Sequence, residues 1–295
     1  MRSWIALCLL AACTTDDGPK GPGTPGPADR LVAADMDSDG RDELVVIHNS
    51  RATWKNHILE LTGKVHAVAR GDIGADGKEE AIIATGSGKG FPSAAATVWV
   101  LKSDGPELLW ESRIGRNRIA DIRVHNGEVF LSFFPAGKTV VGAWIKDGEL
   151  RRVTRVQMGM QQVPLDNGAV AVGRLYGEQP KSDGDLRILR EGQDDQLLPT
   201  LRGIRSLARA DLDQDGHTDL IAADGWHYKY GTHARARLVL YRGPSFKDRR
   251  ILADFPDDYT VNRVEVVPAT QSHPPRLLAT GTQNVYLLQA DKMGW

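Results

Sequence analysis

Residues 211–220 read DLDQDGHTDL and set the carboxylates of Asp211, Asp213, Asp215 and Asp219 around a single glycine, Gly216. Negative charges this close disfavour one another unless a cation sits among them. Alternate residues of a tight loop can turn their carboxylates inward, and a glycine at the sixth position allows the sharp bend. Ca²⁺ takes six to eight hard oxygens from carboxylates, backbone carbonyls and water, which suits such a loop. The expected ligands are Asp211, Asp213, Asp215, the carbonyl of His217, and Asp219.

Two other stretches repeat the pattern: LVAADMDSDGRDELVVIHN (31–49) and AVARGDIGADGKEEAIIATG (67–86). Each is a short apolar strand, an Asp-Gly loop, then a second apolar strand. The first offers Asp35, Asp37, Asp39, the carbonyl of Arg41, and Glu43. In the second, Gly74 occupies the third position and leaves Asp72, Asp76 and Glu80, a weaker set or one completed by water. Two structural Ca²⁺ sites are therefore expected, with a third, weaker one at 72–80. An EF-hand begins in the same way but needs a bidentate Glu at its twelfth position. That position holds Ala222 in one loop and Val46 in another, both inside apolar runs. A metal-free Asx turn accounts for one Asp and one Gly. It does not account for three alternating carboxylates.

The spacing of these loops decides the fold class. Asp35 and Asp211 are separated by four steps of about 44 residues, within the ~40–50 residues of a propeller blade. Later strands recur at similar spacing: TVWVLKSDG (97–105), TVVGAWIKDG (139–148), DLRILREGQ (185–193), ARLVLYRGP (236–244) and NVYLLQAD (284–291). A further strand often follows, as in ELLWESRI, ELRRVTRVQ, DQLLPTL and DRRILADF. Such β-branched and aromatic runs closed by Gly or Asp turns read as strands. No helical period competes with them. The expected fold is all-β, a β-propeller of six four-stranded blades over 30–295, the last lacking its fourth strand. A β-solenoid would need shorter repeats.

The strand–loop–strand unit resembles the FG-GAP/VCBS repeats of integrin α-chain propellers and of many secreted bacterial proteins. The resemblance is strongest at 31–49 and 207–225 and present at 67–86. IADIRVHNGEVFLSF and VPLDNGAVAVGRL keep the strands and an Asn-Gly turn but lose the carboxylates. Propellers of that family commonly have seven blades, so the resemblance leaves seven as the alternative to six.

The amino terminus reads differently. MRSWIALCLLAAC carries one Arg and then an apolar run too short to span a bilayer, which is the pattern of a secretory signal over 1–12. Leu10-Ala11-Ala12-Cys13 resembles the lipobox of bacterial lipoproteins, which implies cleavage before Cys13 and a lipid on it. Residues 13–29 are rich in Gly and Pro and read as a flexible tether. Thr14 after the Cys, by the same resemblance, favours the outer membrane. The expected location is the bacterial cell envelope, with the domain anchored to the membrane rather than spanning it. The chain has two cysteines, Cys8 and Cys13, so the mature chain has no internal disulfide.

With a net charge of −1, the chain lacks the broad basic surface of a nucleic-acid binder. Arg70-Gly71-Asp72 spells an adhesion tripeptide, but Asp72 already opens a metal loop. GSGKG (86–90) lacks the G-x-x-x-x-G-K-[ST] pattern of a phosphate loop. GWHYKYGTHAR (225–235) crowds Trp226, His227, Tyr228, Tyr230 and His233 into one inter-strand connection, a candidate partner surface. G-x-S-x-G and H-E-x-x-H are both missing. The leading reading is a lipid-anchored, calcium-stabilised propeller binding a protein or glycan at the envelope. The alternative is a propeller hydrolase or lyase with its site at the central channel mouth.

Overall fold

A computed structural model describes residues 30–295 apart from 89, 116–117, 135–138, 158, 176–183, 201–202, 226–235, 257, 259, 268–273, 282–283 and 290–295. The leader, Cys13 and the tether lie outside the described residues. So do Trp226, His227, Tyr228, Tyr230 and His233.

The described residues form six antiparallel sheets, each built from strands consecutive in the chain. The first holds β1 (Arg30–Ala34), β2 (Glu43–His48), β3 (Arg51–Trp54) and β4 (His57–Glu60). The second holds β5 (Lys64–Gly71), β6 (Glu80–Gly86), β7 (Ala95–Lys102) and β8 (Gly105–Gly115). The third holds β9 (Arg118–His125), β10 (Glu128–Phe134), β11 (Thr139–Lys146) and β12 (Glu149–Gln157). The fourth holds β13 (Gly159–Pro164), β14 (Val170–Arg174), β15 (Leu186–Leu189) and β16 (Gln196–Leu198). The fifth holds β17 (Ile204–Ala210), β18 (Asp219–Asp224), β19 (Ala236–Tyr241) and β20 (Arg249–Phe255). The sixth has three strands among the described residues: β21 (Val261–Val267), β22 (Arg276–Gly281) and β23 (Val285–Gln289). These match the expected strands closely. The sequence did not announce β21 and β22 of the last sheet, nor the β3–β4 hairpin, whose four-residue strands meet at Lys55-Asn56, without a glycine.

Burial follows the side-chain alternation of each sheet. In β6 and β18 every residue is buried, so both faces of those strands are covered. Their sequences, EAIIATG and DLIAAD, are accordingly nearly continuous small and apolar runs. β2 and β22 instead alternate buried and less buried positions, so the first and sixth sheets are each covered on one face. On the other face of the first sheet Leu44, Val46 and Ile58 stay exposed.

The chain falls into two compact units: Met1–Leu131 with Ala143–Arg152, and Ser132–Gly142 with Val153–Trp295. In the first unit, Val45, Ile47, Ala52, Trp54 and Leu59 of the first sheet pack on Val65, Ala81, Ile83 and Leu101 of the second. The opening strands of successive sheets lie side by side there, β1 against β5 and β5 against β9. Gly71 permits the second approach, because a Cβ on it would sit 2.6 Å from Val124 Cβ. In the second unit, one core joins the fourth and fifth sheets and another joins the fifth and sixth. β17 lies between β13 and β21 there.

Candidate metal centre

The three Asp-Gly loops connect the first and second strands of their sheets, as expected: 35–42 between β1 and β2, 72–79 between β5 and β6, 211–218 between β17 and β18. They share one hydrogen-bond frame. The opening Asp accepts the N–H of the sixth-position glycine: Asp35 from Gly40, Asp72 from Gly77 and Asp211 from Gly216, each at 2.9 Å. Asp72 and Asp211 also accept from the fifth position, Asp76 and Asp215. The fifth-position carboxylate accepts from the seventh N–H: Asp39 from Arg41, Asp76 from Lys78, Asp215 from His217. The ninth carboxylate reaches back to the second N–H: Glu43 to Met36, Glu80 to Ile73, Asp219 to Leu212.

Backbone conformation repeats too. The fourth residue is left-handed in each loop: Ser38 (φ 60°), Ala75 (φ 57°) and Gln214 (φ 60°). So is the sixth: Gly40 (φ 80°), Gly77 (φ 86°) and Gly216 (φ 86°). The sixth position, with the larger φ, holds glycine in all three loops, whereas the fourth carries Ser, Ala or Gln near 60°.

The frame brings carboxylates together in two of the loops. Oxygens of Asp35, Asp37 and Asp39 all lie within 4.8 Å of one another, as do oxygens of Asp211, Asp213 and Asp219. Oxygens sharing one Ca²⁺ at about 2.4 Å can be no further apart than that. The sequence expected Glu43 and Asp215 in these sets as well. Glu43 accepts the Met36 N–H and pairs with Lys55, and Asp215 accepts the His217 N–H, as the triad member Asp39 accepts that of Arg41. Arg41 and His217, expected to offer carbonyls, sit at the seventh position of the same turns. Asp72, Asp76 and Glu80 do not form such a group among the described residues.

Two carboxylate oxygens bear directly on whether a cation fits. Asp35 Oδ1 and Asp213 Oδ1 are buried and have no hydrogen-bond partner. A buried, unpaired carboxylate oxygen is costly unless a cation or donor meets it. One such atom belongs to each triad, so the residues present fit a hard divalent ion.

Each loop also has a basic neighbour from the end of the third strand of its own sheet. Lys55 Nζ donates to Asp37 Oδ2 (2.6 Å) and pairs with Glu43 Oε1 (3.3 Å). Arg242 Nε approaches Asp213 Oδ2 (3.5 Å). In the second sheet Lys102 acts on Glu80 through its charge. The hydrogen bond from Lys55 holds the Asp37 carboxyl below its ordinary range and pushes the Lys55 ammonium up. Burial pushes the Glu80 and Asp219 carboxyls up; the backbone N–H groups they accept partly offset this. Sequence reading missed these cations because they lie outside the repeated loops. Their signal is a Lys or Arg at or just after the end of the third strand.

The adhesion tripeptide is absorbed by packing. Both Asp72 oxygens take loop N–H groups, Gly71 is the close-contact glycine, and Arg70 pairs with Asp42 and Glu79.

The loops of the first unit also dock on one another. The Glu79 N–H donates to the Asp35 carbonyl (3.2 Å), and Ser38 Oγ donates to the Gly77 carbonyl (3.3 Å). The Gly74 N–H donates to the carbonyl of Gly127 (2.9 Å) in the carboxylate-free Asn126-Gly127 turn of the third sheet.

No family model matches the chain, and no curated protein matches it. Among solved structures it is similar to BBS1N in complex with ARL6DN, soaked with lead, with a TM-score of 0.59 and 14% identity. That match covers 88% of this chain and 78% of the other. It is also similar to the Dos1 propeller, with a TM-score of 0.56 and 8% identity, covering 90% of this chain and 69% of that one. The fold is a β-propeller. At these identities the likeness concerns the fold alone.

Proposed function

We propose that this chain is a calcium-stabilised β-propeller of FG-GAP/VCBS type that serves as a binding module. The observation that carries the calcium reading is the pair of acidic triads, each with a buried carboxylate oxygen lacking a partner. Asp35, Asp37 and Asp39 would hold one ion; Asp211, Asp213 and Asp219 would hold the other. Arg41 and His217 carbonyls and water would complete the shells, with Glu43 and Asp215 bracing the loops from behind. The ion's part is to neutralise the inward carboxylates and pin the turn. Repetition of the frame at three loops supports a structural rather than a chemical role.

The binding role draws on the fold: BBS1N, a propeller of similar architecture, is solved in complex with ARL6DN. We assign the partner of this chain to the cell envelope, as a protein or glycan. That assignment rests on the lipobox-like Leu10–Cys13 and the Gly/Pro tether. The lipid at Cys13 and outer-membrane placement belong to the same proposal.

Thermal unfolding with calcium and with excess chelator tests the metal. Ligands that bind only the folded state raise its stability. An unchanged midpoint would remove structural calcium. Cys13→Ser should move the protein from the membrane to the soluble fraction of cells. Its retention in membranes would remove the anchor.

A further inference from the structure

Third strands in this molecule are covered by a fourth. β7, β11 and β19 are buried along most of their length, and β3 and β15 each bury two residues. β23 holds the third place in the sixth sheet, yet none of its five residues is buried. Val285 and Leu287 are 47% and 49% exposed. They share one face of the sheet, in register with Thr280 and Leu278 of β22. The opposite face is fastened. Tyr286 and Leu288 pack on the core that joins the fifth and sixth sheets, with the Tyr286 ring 4.4 Å from that of Phe255. Tyr286 Oη and Asn284 Nδ2 both donate to the buried Asp258 carboxylate. β23 is thus a firmly held strand with an open edge, among the described residues, and a bare apolar face.

The other outer strands are guarded against a further strand. An open edge offers a row of unpaired N–H and C=O groups, and charge or brevity blunts it. β4 carries an exposed Glu60, β8 Glu107, β12 Arg151 and β20 Arg250. β16 is uncharged but only three residues long. β23, Val-Tyr-Leu-Leu-Gln, has neither device. A strand that fits its edge must be uncharged and must set apolar side chains beside Val285 and Leu287 on the same face. β23 itself meets both conditions. In an antiparallel pair about a two-fold axis at Leu287, Leu287 faces its own copy, Tyr286 faces Leu288, and Val285 faces Gln289. An axis perpendicular to the sheet keeps both exposed faces on one side. Leu278 and Leu287 of the two copies then form one continuous apolar strip, and no charge opposes a charge between the two strands.

We propose that β23 pairs antiparallel with β23 of a second copy of this chain, about a two-fold axis at Leu287, each taking the fourth-strand place in the other's sixth sheet. The same patch serves on both copies, so the contact closes at two and leaves no edge to propagate. Five residues a side make a small interface, below ~1,200 Å², which belongs to the weak and reversible class. The pairing goes beyond the binding role proposed above and depends on neither calcium nor the lipid anchor.

Sedimentation velocity of the whole chain from about 1 to about 300 µM tests this, a range that spans weak association. Monomer should give way to dimer as concentration rises, with no larger species. Leu287→Lys sets two like charges opposite each other on the axis, removes the Leu–Leu contact, and should weaken the dimer about 10-fold. Leu287→Cys should cross-link as a dimer under mild oxidation, because a residue faces its own copy only at the axis. Ile58→Cys, at an exposed apolar position on β4, should cross-link no more than the parent chain, whose cysteines are Cys8 and Cys13. The proposal is overturned if the chain stays monomeric throughout that range, or if open-ended assemblies form. It is overturned too if the dimer survives Leu287→Lys at full strength in chains that unfold at the normal temperature. A monomer whose β23 amide protons exchange slowly would show the edge covered by the chain's own residues or by another protein's strand, and equally defeats the pairing.

Discussion

Loops 72–80 and 211–219 run through the same hydrogen-bond frame with different carboxylate sets. In both, the first acid accepts the fifth and sixth N–H groups, the fifth accepts the seventh, and the ninth accepts the second. Loop 72–80 manages this with Gly74 at the third position, where φ is 90°. The frame thus does not need a third-position carboxylate. Asp213, which has one, leaves a buried oxygen without a partner. The first, fifth and ninth acids shape the turn in both loops, whereas Asp213 at the third position takes no part in that frame; Asp37, its counterpart in the first sheet, accepts only the Asp39 N–H at 3.3 Å.

Substitutions can break this division. Asp211→Ala strikes both roles, since Asp211 accepts two backbone N–H groups and also belongs to the triad. It should lower metal-free stability by about 1 kcal/mol, from two lost hydrogen bonds whose exposed donors turn to water. It should also abolish the calcium increment of that loop, as read by denaturant unfolding with and without chelator. Asp213→Ala strikes the cation role and a half-exposed pair with Arg242, and no hydrogen bond of the loop frame. Calcium at about 100 times its dissociation constant adds ~2.7 kcal/mol per site. Asp213→Ala should remove that increment and leave metal-free stability within about 0.5 kcal/mol. Equal metal-free losses in the two variants would erase the distinction drawn here.

Gly74→Asp restores the missing acid in loop 72–80, but at a left-handed φ. A cost of about 1 kcal/mol is expected without a new calcium site, so the bound stoichiometry should stay at its starting value. Acidification sharpens the comparison further. Burial raises the Asp219 and Glu80 carboxyls, so their folded forms hold protons more tightly than the unfolded chain does. Their contribution without metal is fully present below the ordinary carboxylate range and is lost as pH rises through their raised values. With calcium the order reverses, because protons compete for the ligands. The melting increment from calcium should therefore shrink as pH falls from 7 toward 5, and more so for the 211 loop. Smallest of all, Lys55→Met removes a resident cation from Asp37 and should tighten calcium at 35–43 by about threefold, the order of a screened surface pair.

Much of this architecture is legible in the sequence. Runs such as TVWVLK and ARLVLY announce strands through β-branched and aromatic residues, and the recurring Asp loops set the period of the sheets. The β3–β4 hairpin escaped because Arg51–Trp54 is short and its turn has no glycine, with Lys55 itself left-handed (φ 45°). The loop residues were legible as a set, but their pairing was not. Alternation along the chain suggests Asp211, Asp213 and Asp215 as the inward triad. The structure groups Asp211 and Asp213 with Asp219, the last of the expected ligands, while Asp215 accepts the His217 N–H. Nor does a local pattern foretell Lys55, eighteen positions beyond Asp37, because sheet pairing brings it back.

The docking of successive turns in the first unit gives the amide protons of Glu79 and Gly74 a particular value. One is held by the carbonyl of Asp35, the other by the carbonyl of Gly127. Each proton is donated across a seam between neighbouring sheets, so its exchange with solvent deuterium reports on a loop other than its own. Filling the site at 35–43 should slow exchange at Glu79, in a loop that lacks a complete triad. The carboxylate-poor loop then becomes a built-in spectator, reading the occupancy of the site beside it.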